Sequence, residues 1–284
     1  MTDKVLSVIF PILKPERYLA NLKNFLHTED LQKIEIIFVQ DLRLGDTSEC
    51  LIELIDSEPK LHIQLVTGSF GSAGIARNAG ILAATCQWVS FCDADDYLFV
   101  RNILEDLQKN LTAQVLIGQF ERIYQNGITR PSEISTKIED LYSDPGFWRA
   151  AYKKEVINKV KFSNLRMGED IVFFADVLRS NPRLMFSEKN YYRYSVGSLS
   201  QSTSVKDNFS DVGRAIAQIK GNNKLWRRDQ NDLGFITRLA FTQAKNPQVK
   251  VKLSGILQII EASIFSPKNF VLLLSIGRRR WLRN

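Results

Sequence analysis

Cysteine is scarce in this 284-residue chain: Cys50, Cys86 and Cys92 are the whole supply. Three cannot all pair, and no C-x-x-C occurs, which excludes a disulfide framework and a cysteine-built zinc site and points to a reducing compartment. Histidine is scarcer still. His27 and His62 are too few and too far apart for a histidine metal site, and each reads as a surface or helix-face residue. No Ser-His-Asp arrangement is supported. The glycine-bearing stretch GSFGSAGIARNAG at 68–80 lacks G-x-G-x-x-G, and Gly-Lys-Ser/Thr is absent, so neither a dinucleotide fingerprint nor a Walker loop is present. Gly71, Gly74 and Gly80 instead suit a tight turn and close helix–strand packing. No stretch reaches the ~18 uninterrupted apolar residues that a spanning helix needs; the longest candidate is 270–276. Residues 1–4 lead straight into a strand-like run without a small-residue cleavage site. The expectation is a protein made and kept in the cytoplasm.

What is present is ordinary in bulk and uneven in distribution. Hydrophobic residues make up 44% and charged residues 24%, which rules out intrinsic disorder and collagen-like structure. The net charge is +7. Eight of the 38 basic residues and one of the 31 acidic ones lie in 245–284, so 1–244 holds 30 of each sign and is formally neutral. That distribution argues against a body coated for nucleic acid and points to an anionic surface touched by the C-terminal part.

Short, continuously apolar runs alternate with amphipathic stretches. Strands are expected over 5–12, 35–39, 61–66 and 88–92, and helices over 16–25, 47–57, 77–84 and 98–110. Such alternation implies a parallel sheet covered on both faces, with ligands outside the carboxyl ends of its strands. Asp41, the 68–74 loop and Asp93–Asp96 all follow strands and should meet on one rim. Further on, a strand is expected over 115–122, a polar, turn-rich stretch over 123–144, a helix over 147–156, a helix after Gly168-Glu169-Asp170, an edge strand over 191–194, and helices from about 208.

Asp93, Asp95 and Asp96 crowd three carboxylates into four residues, which repel unless a cation or basic group screens them. They read either as a solvated turn with N-cap aspartates or as a site for hard Mg2+ or Mn2+, which favours carboxylate oxygens and leaves room for phosphates.

VLSVIFP at 5–11, EIIFV at 35–39 with Asp41, GIARNAG at 74–80, FCDADD at 91–96 and Gly168-Glu169-Asp170 stand in an order and spacing that resembles family 2 glycosyltransferases of the GT-A fold over roughly residues 5–200. The resemblance implies an α/β chain, a Rossmann-like, mostly parallel sheet with helices on both faces, plus a C-terminal helical appendage. It implies a GT-A catalytic domain over 1–205 (a nucleotide-sugar half over 1–112, an acceptor half over 113–205) and a helical basic region over 206–284. It implies an inverting transferase dependent on Mn2+ or Mg2+. The donor would be a nucleotide diphosphate sugar, expected to be a UDP-sugar, and the acceptor a saccharide or lipid-linked glycan of envelope polysaccharide synthesis. Pro11 matches the strand end lining the base, Asp41 the aspartate bonding uracil or ribose, and Arg77 the arginine near base and phosphates. Asp93 matches the ribose contact, Asp95 the metal ligand, and Asp170, beside Glu169, the base that deprotonates the acceptor. Gln40 stands where the family usually has a first acid, and residues 42–47 replace its usual Gly-Ser-Thr-Asp; both departures fall at the nucleotide pocket.

Several positions keep two readings. Arg193, in YYRY before Ser198, Ser200 and Ser202, either reaches the diphosphate when a closing segment folds over or is a surface residue of an edge strand. Glu169 and Asp170 either flank the chemistry or complement a helix dipole. Trp148 either stacks on an acceptor sugar or fills the core. Beyond 245, Leu253, Ile256, Leu257, Ile260 and Ile264 share a helical face, and an apolar stretch runs into GRRRWLR at 277–283. This fits a helix at the anionic cytoplasmic face of a membrane or one packed on the domain with a solvated basic end. The rival functions are a Mg2+-dependent nucleotidyltransferase or phosphatase, and a non-catalytic nucleotide-sugar-binding homologue, which Gln40 keeps open.

Overall fold

The computed structural model describes residues 4–28, 31–43, 48–142, 144–197, 209–221, 230–244 and 255–257. Ser198, Ser200 and Ser202, and nearly all of the basic stretch beyond 245, lie outside the described residues. In chain order the elements are β1 (Leu6–Ile12), α1 (Leu19–Thr28), β2 (Ile34–Asp41), α2 (Glu49–Asp56), β3 (Ile63–Gly68), α3 (Ala73–Ala83), β4 (Trp88–Phe91), β5 (Tyr97–Leu98), α4 (Val100–Lys109), β6 (Val115–Tyr124), β7 (Thr129–Pro131), α5 (Ile138–Leu141), β8 (Ala150–Lys153), α6 (Lys154–Ile157), α7 (Glu169–Arg179), β9 (Leu184–Val196), α8 (Phe209–Lys220) and α9 (Gln230–Ala244).

The chain divides into two compact units. The first takes residues 1–135, 148–164 and 181–200, and the second takes 136–147, 165–180 and 201–284. The first holds one sheet in the order β3-β2-β1-β4-β8-β6-β9-β5, with β7 pairing β6. The β3-β2-β1-β4 half is parallel throughout; beyond β4 the sheet is mixed. Every residue of β2 is buried, as its near-continuous apolar run requires of a strand covered on both sides. Successive side chains of a strand point to opposite faces. Phe25 of α1 meets Phe10 edge-on at 5.1 Å, whereas Gly80 of α3 lies against Ile9 and Val39. Helices α1 and α3 therefore cover opposite faces.

Two expectations are corrected. Residues 147–156 are not one helix: 147–149 form a single 3-10 turn, and 150–153 form β8, antiparallel to both β4 and β6. Tertiary pairing overrides the weak local preference of AAYK. Residues 191–194 are not an edge either. They belong to thirteen-residue β9, which lies between β6 and β5.

In the second unit α7 packs with α8 and α9. Gly168, at φ +87°, sits where an added Cβ would come within 3.0 Å of Ala215 and 3.4 Å of Leu239. Arg179 donates to Asp232 at 3.0 Å and to the Ile219 carbonyl at 2.7 Å.

Candidate active site

Four parallel strands put their carboxyl ends on one rim, and the polar residues that follow them line it. Pro11 pairs with Val39, one residue before β1 ends at Ile12 opposite Gln40. Asp41 closes β2, and both its oxygens are engaged by the 68–74 loop: Oδ1 accepts from the Phe70 amide at 3.2 Å and Oδ2 from the Gly71 amide at 2.9 Å, with the Arg43 guanidinium alongside at 3.3 Å. Gly71 takes φ +79°, a left-handed conformation that glycine adopts without penalty. Asp41 thus shapes the loop that leads into α3. Ser72 caps α3 by accepting from the Ile75 amide at 3.3 Å.

One turn of α3 further on, Arg77 is 4% exposed. It donates to Asp93 Oδ1 at 2.6 Å, and its guanidinium lies over the Phe162 ring at 5.4 Å. A charge-assisted bond to a buried, always-charged guanidinium fixes the Asp93 carboxylate on the rim. Asp93 and Asp95 remain partly accessible, while Asp96 is 3% exposed. The turn is therefore not a simply solvated one. Asp96 Oδ2 accepts from the Tyr192 hydroxyl at 2.8 Å and Oδ1 from the Ser195 amide at 2.7 Å. The Asp93 amide donates to the Tyr192 oxygen at 3.1 Å, and Ser195 Oγ donates to the Asp95 carbonyl at 2.7 Å. Asn21 of α1 donates to the carbonyls of both Ala94 and Asp96 at 2.8 Å.

Electrostatics single out the same turn. Burial, then the neighbouring Asp93 and Asp95 carboxylates, pushes Asp96 up to about 8. Burial, then Asp96, Asp93 and Asp95, pushes Tyr194 up to about 12. Burial and Asp95 raise Tyr18. A set of hard oxygen donors in a negative field matches the chemistry of a divalent cation. Among the described residues, no group of three or more His, Cys, Asp and Glu side chains stands ready to hold a metal by itself.

The remaining residues singled out in the sequence fall as follows. Trp148 is half-buried in an aromatic cluster, 4.3 Å from Tyr192, stacked at 5.8 Å and 12° on Tyr194, and edge-on to Phe120 at 4.9 Å. Arg193 is held by Glu121 at 2.6 Å and lies over the Phe99 ring at 5.1 Å. Glu169 and Asp170 open α7 in the second unit, both partly exposed, with Asp170 Oδ1 accepting from the Ile171 amide at 2.8 Å. Within the first unit, then, the fold joins Arg77, Asp93, Asp95 and Asp96. Asn21, Tyr192 and Ser195 carry no sequence signal, since they reach this turn from 73 to 100 residues away. No helix among the described residues is long and apolar enough to cross a membrane.

The chain is similar to known glycosyltransferases. Glycosyltransferase GlyA of Streptococcus pneumoniae is 23% identical over 226 residues, covering 71% of this chain and 32% of that protein. The poly(ribitol-phosphate) beta-N-acetylglucosaminyltransferase TarS of Staphylococcus aureus is 25% identical over 278 residues, 90% of this chain and 48% of that one. The chain thus spans about a third of the first of these relatives and about half of the second. The crystal structure of S. aureus TarS 1–349 in complex with UDP-GlcNAc superposes with a TM-score of 0.69 at 17% identity, covering 95% of this chain and 83% of that one. The mannosyltransferase PcManGT from Pyrobaculum calidifontis, in complex with GDP-Man and Mn2+, gives 0.60 at 15% identity, covering 99% and 81%. These likenesses bear out the GT-A fold. The model of glycosyl transferase family 2 matches residues 7–169, more than half of the chain, and the chain belongs to that family.

Proposed function

We propose that this transferase moves a sugar, with inversion, from a nucleotide diphosphate sugar, specifically a UDP-sugar, to a saccharide or lipid-linked acceptor in envelope polysaccharide synthesis. The observation that carries this reading is the Arg77–Asp93 pair beside Asp95 at the carboxyl rim of the parallel strands, the place where such sheets bind ligands. TarS crystallised with UDP-GlcNAc supports the base.

Asp93, aimed by Arg77, bonds the donor ribose. Pro11 and the Asp41-held loop line the base. Mn2+ or Mg2+ would be held through Asp95, with its other oxygens from substrate and water, and when bound supplies positive charge where the leaving diphosphate becomes more negative. Arg193 is a second source of positive charge for the diphosphate, and Trp148 offers an aromatic edge to the acceptor. Asp170 takes the proton from the attacking hydroxyl, which demands an approach of about 2.6–3.2 Å, direct or through one water; Glu169 orients the same acceptor. The basic stretch at 277–283 brings the enzyme to an anionic membrane face.

Two variants test the assignment. Asp95→Ala is expected to abolish Mn2+-dependent binding of UDP-sugars in calorimetric titration. Asp170→Asn is expected to keep donor binding and lose turnover by about 10²–10⁴-fold, the usual worth of a general base. Turnover in Asp170→Asn equal to that of the parent protein would remove the base, metal-independent binding in the parent would remove the cation, and unchanged Mn2+-dependent binding in Asp95→Ala would remove Asp95 as its ligand.

A further inference from the structure

We propose that Asn21 is a positioning residue for the Asp93–Asp96 turn, setting the direction in which Asp95 points without itself touching substrate. This rests on the donor reading above. The residues around Asp95 present three consecutive carbonyls, and each is taken by a side chain from elsewhere in the fold. Ala94 and Asp96 oxygens both accept from the single Asn21 amide at 2.8 Å, and the Asp95 oxygen accepts from Ser195 Oγ at 2.7 Å. The two peptide planes that flank Asp95 carry the Ala94 and Asp95 carbonyls, so Asn21 fixes the first and Ser195 Oγ the second, while the second Asn21 bond anchors the next plane at Asp96; together they set the line of the Asp95 Cα–Cβ bond. Tyr192 and the Ser195 amide hold the turn from β9; Asn21 holds it from α1, on the opposite side of the chain order.

An ordinary structural hydrogen bond and a positioning one differ in what their loss does. Asn21 is partly exposed, so water can replace its amide at the two carbonyls after truncation at little cost. Water bridges do not hold a carboxylate's aim, and removing partners behind a metal ligand typically costs about 10–100-fold in metal affinity. Stability should therefore change little while cation binding changes much.

The decisive substitutions are Asn21→Ala and the isosteric Asn21→Asp. In the second, a carboxylate without donors faces two carbonyl oxygens, so the better match in shape should be the worse in function. Two measurements read this on the full chain. Hydrogen–deuterium exchange of the peptide covering residues 92–97, without ligand, should accelerate in Asn21→Ala and more in Asn21→Asp. Mn2+ affinity in the presence of UDP, followed by electron paramagnetic resonance, should fall about tenfold in Asn21→Ala and further in Asn21→Asp, with melting temperatures within about 3 °C of the parent. Should Asn21→Asp fail to fold, Ser195→Ala, which removes the bond to the Asp95 carbonyl and leaves the Asn21 amide in place, should show a smaller shift in the same direction. Unchanged exchange and affinity in the Asn21 variants overturn the inference, as does a lowered melting temperature with unchanged affinity. If the parent protein itself binds no Mn2+ with UDP, the donor reading fails and takes the inference with it.

Discussion

Glu35 is fully buried in β2, in register with Ser7 of β1. Its carboxylate collects four donors: Ser7 Oγ at 2.6 Å, Gln64 Nε2 at 2.6 Å, and the Thr85 amide and hydroxyl at 2.8 Å each. Burial alone would raise this carboxyl; the bonds from Ser7 and Thr85, with His62 nearby, outweigh it and hold it below the ordinary glutamate value. A depressed folded value contributes stability that is present above the unfolded glutamate range and lost as pH falls through the folded value. In Glu35→Gln one oxygen becomes an NH2 facing donors, which should cost about 1–3 kcal/mol. Thermal melts at neutral pH should show a drop of about 2–4 °C per kcal/mol. The gap to the parent should narrow as pH falls below the ordinary glutamate range and towards the depressed folded value, where the parent's carboxyl protonates. A gap that never narrows as the protein is acidified to its unfolding limit would refute the ionised assignment. None of these partners could be read from the chain, because a buried glutamate inside EIIFV looks like any polar interruption of a strand. Asp93 and Asp95 were legible for the opposite reason: three acids after an apolar run have few physical excuses. Asn21, Tyr192 and Ser195 were not, since each is an ordinary residue given meaning only by a partner far along the chain.

At the scale of elements, the contact between α3 and the sheet turns on Gly80. A Cβ built there would lie 2.4 Å from Ile9 Cγ2 and 3.1 Å from Val39 Cγ2, and both of those residues are 0% exposed. Gly→Ala inside a helix ordinarily gains about 1 kcal/mol, while overpacking a filled core costs about 1–3 kcal/mol. The clash is with branched side chains on two central strands, not with the free end of a flexible one, so the loss should win. Gly80→Ala is expected to unfold at lower denaturant with an unchanged m-value; a more stable variant would show that α3 can shift away from β1. Because α3 carries Arg77, the same substitution should also weaken donor binding through the Arg77–Asp93 pair. The parallel half of the sheet was visible in the sequence because a strand buried on both faces must be apolar throughout. The mixed half was not. AAYK becomes β8 only through its neighbours, and two-residue β5 exists only because Tyr97 and Leu98 find Arg193 and Tyr192. The placement of Gly168-Glu169-Asp170 in a unit with α8 and α9 likewise depends on packing that no local pattern encodes.

For the molecule as a whole, charge is the property with the longest reach. Residues 1–244 are formally neutral, so the +7 arises from 245–284, and four of its arginines, Arg278, Arg279, Arg280 and Arg283, bracket Trp281. Near an anionic bilayer each such residue contributes about 1 kcal/mol, so four could alter vesicle affinity by up to about a thousandfold, far above what the neutral remainder supplies. Replacing all four by glutamine lowers the net charge from +7 to +3 without touching the described fold. In sedimentation with phosphatidylglycerol-containing vesicles, the parent should bind at 0.1 M salt and release towards 1 M, as the screening length falls from about 10 to about 3 Å. The quadruple variant should stay in the supernatant at both, and neither should bind phosphatidylcholine vesicles strongly. Donor binding should be equal in the two proteins, because the site residues named for the donor all lie before residue 200. Equal sedimentation of parent and variant with anionic vesicles would mean that the arginines are a solvated end and that any membrane contact is made elsewhere.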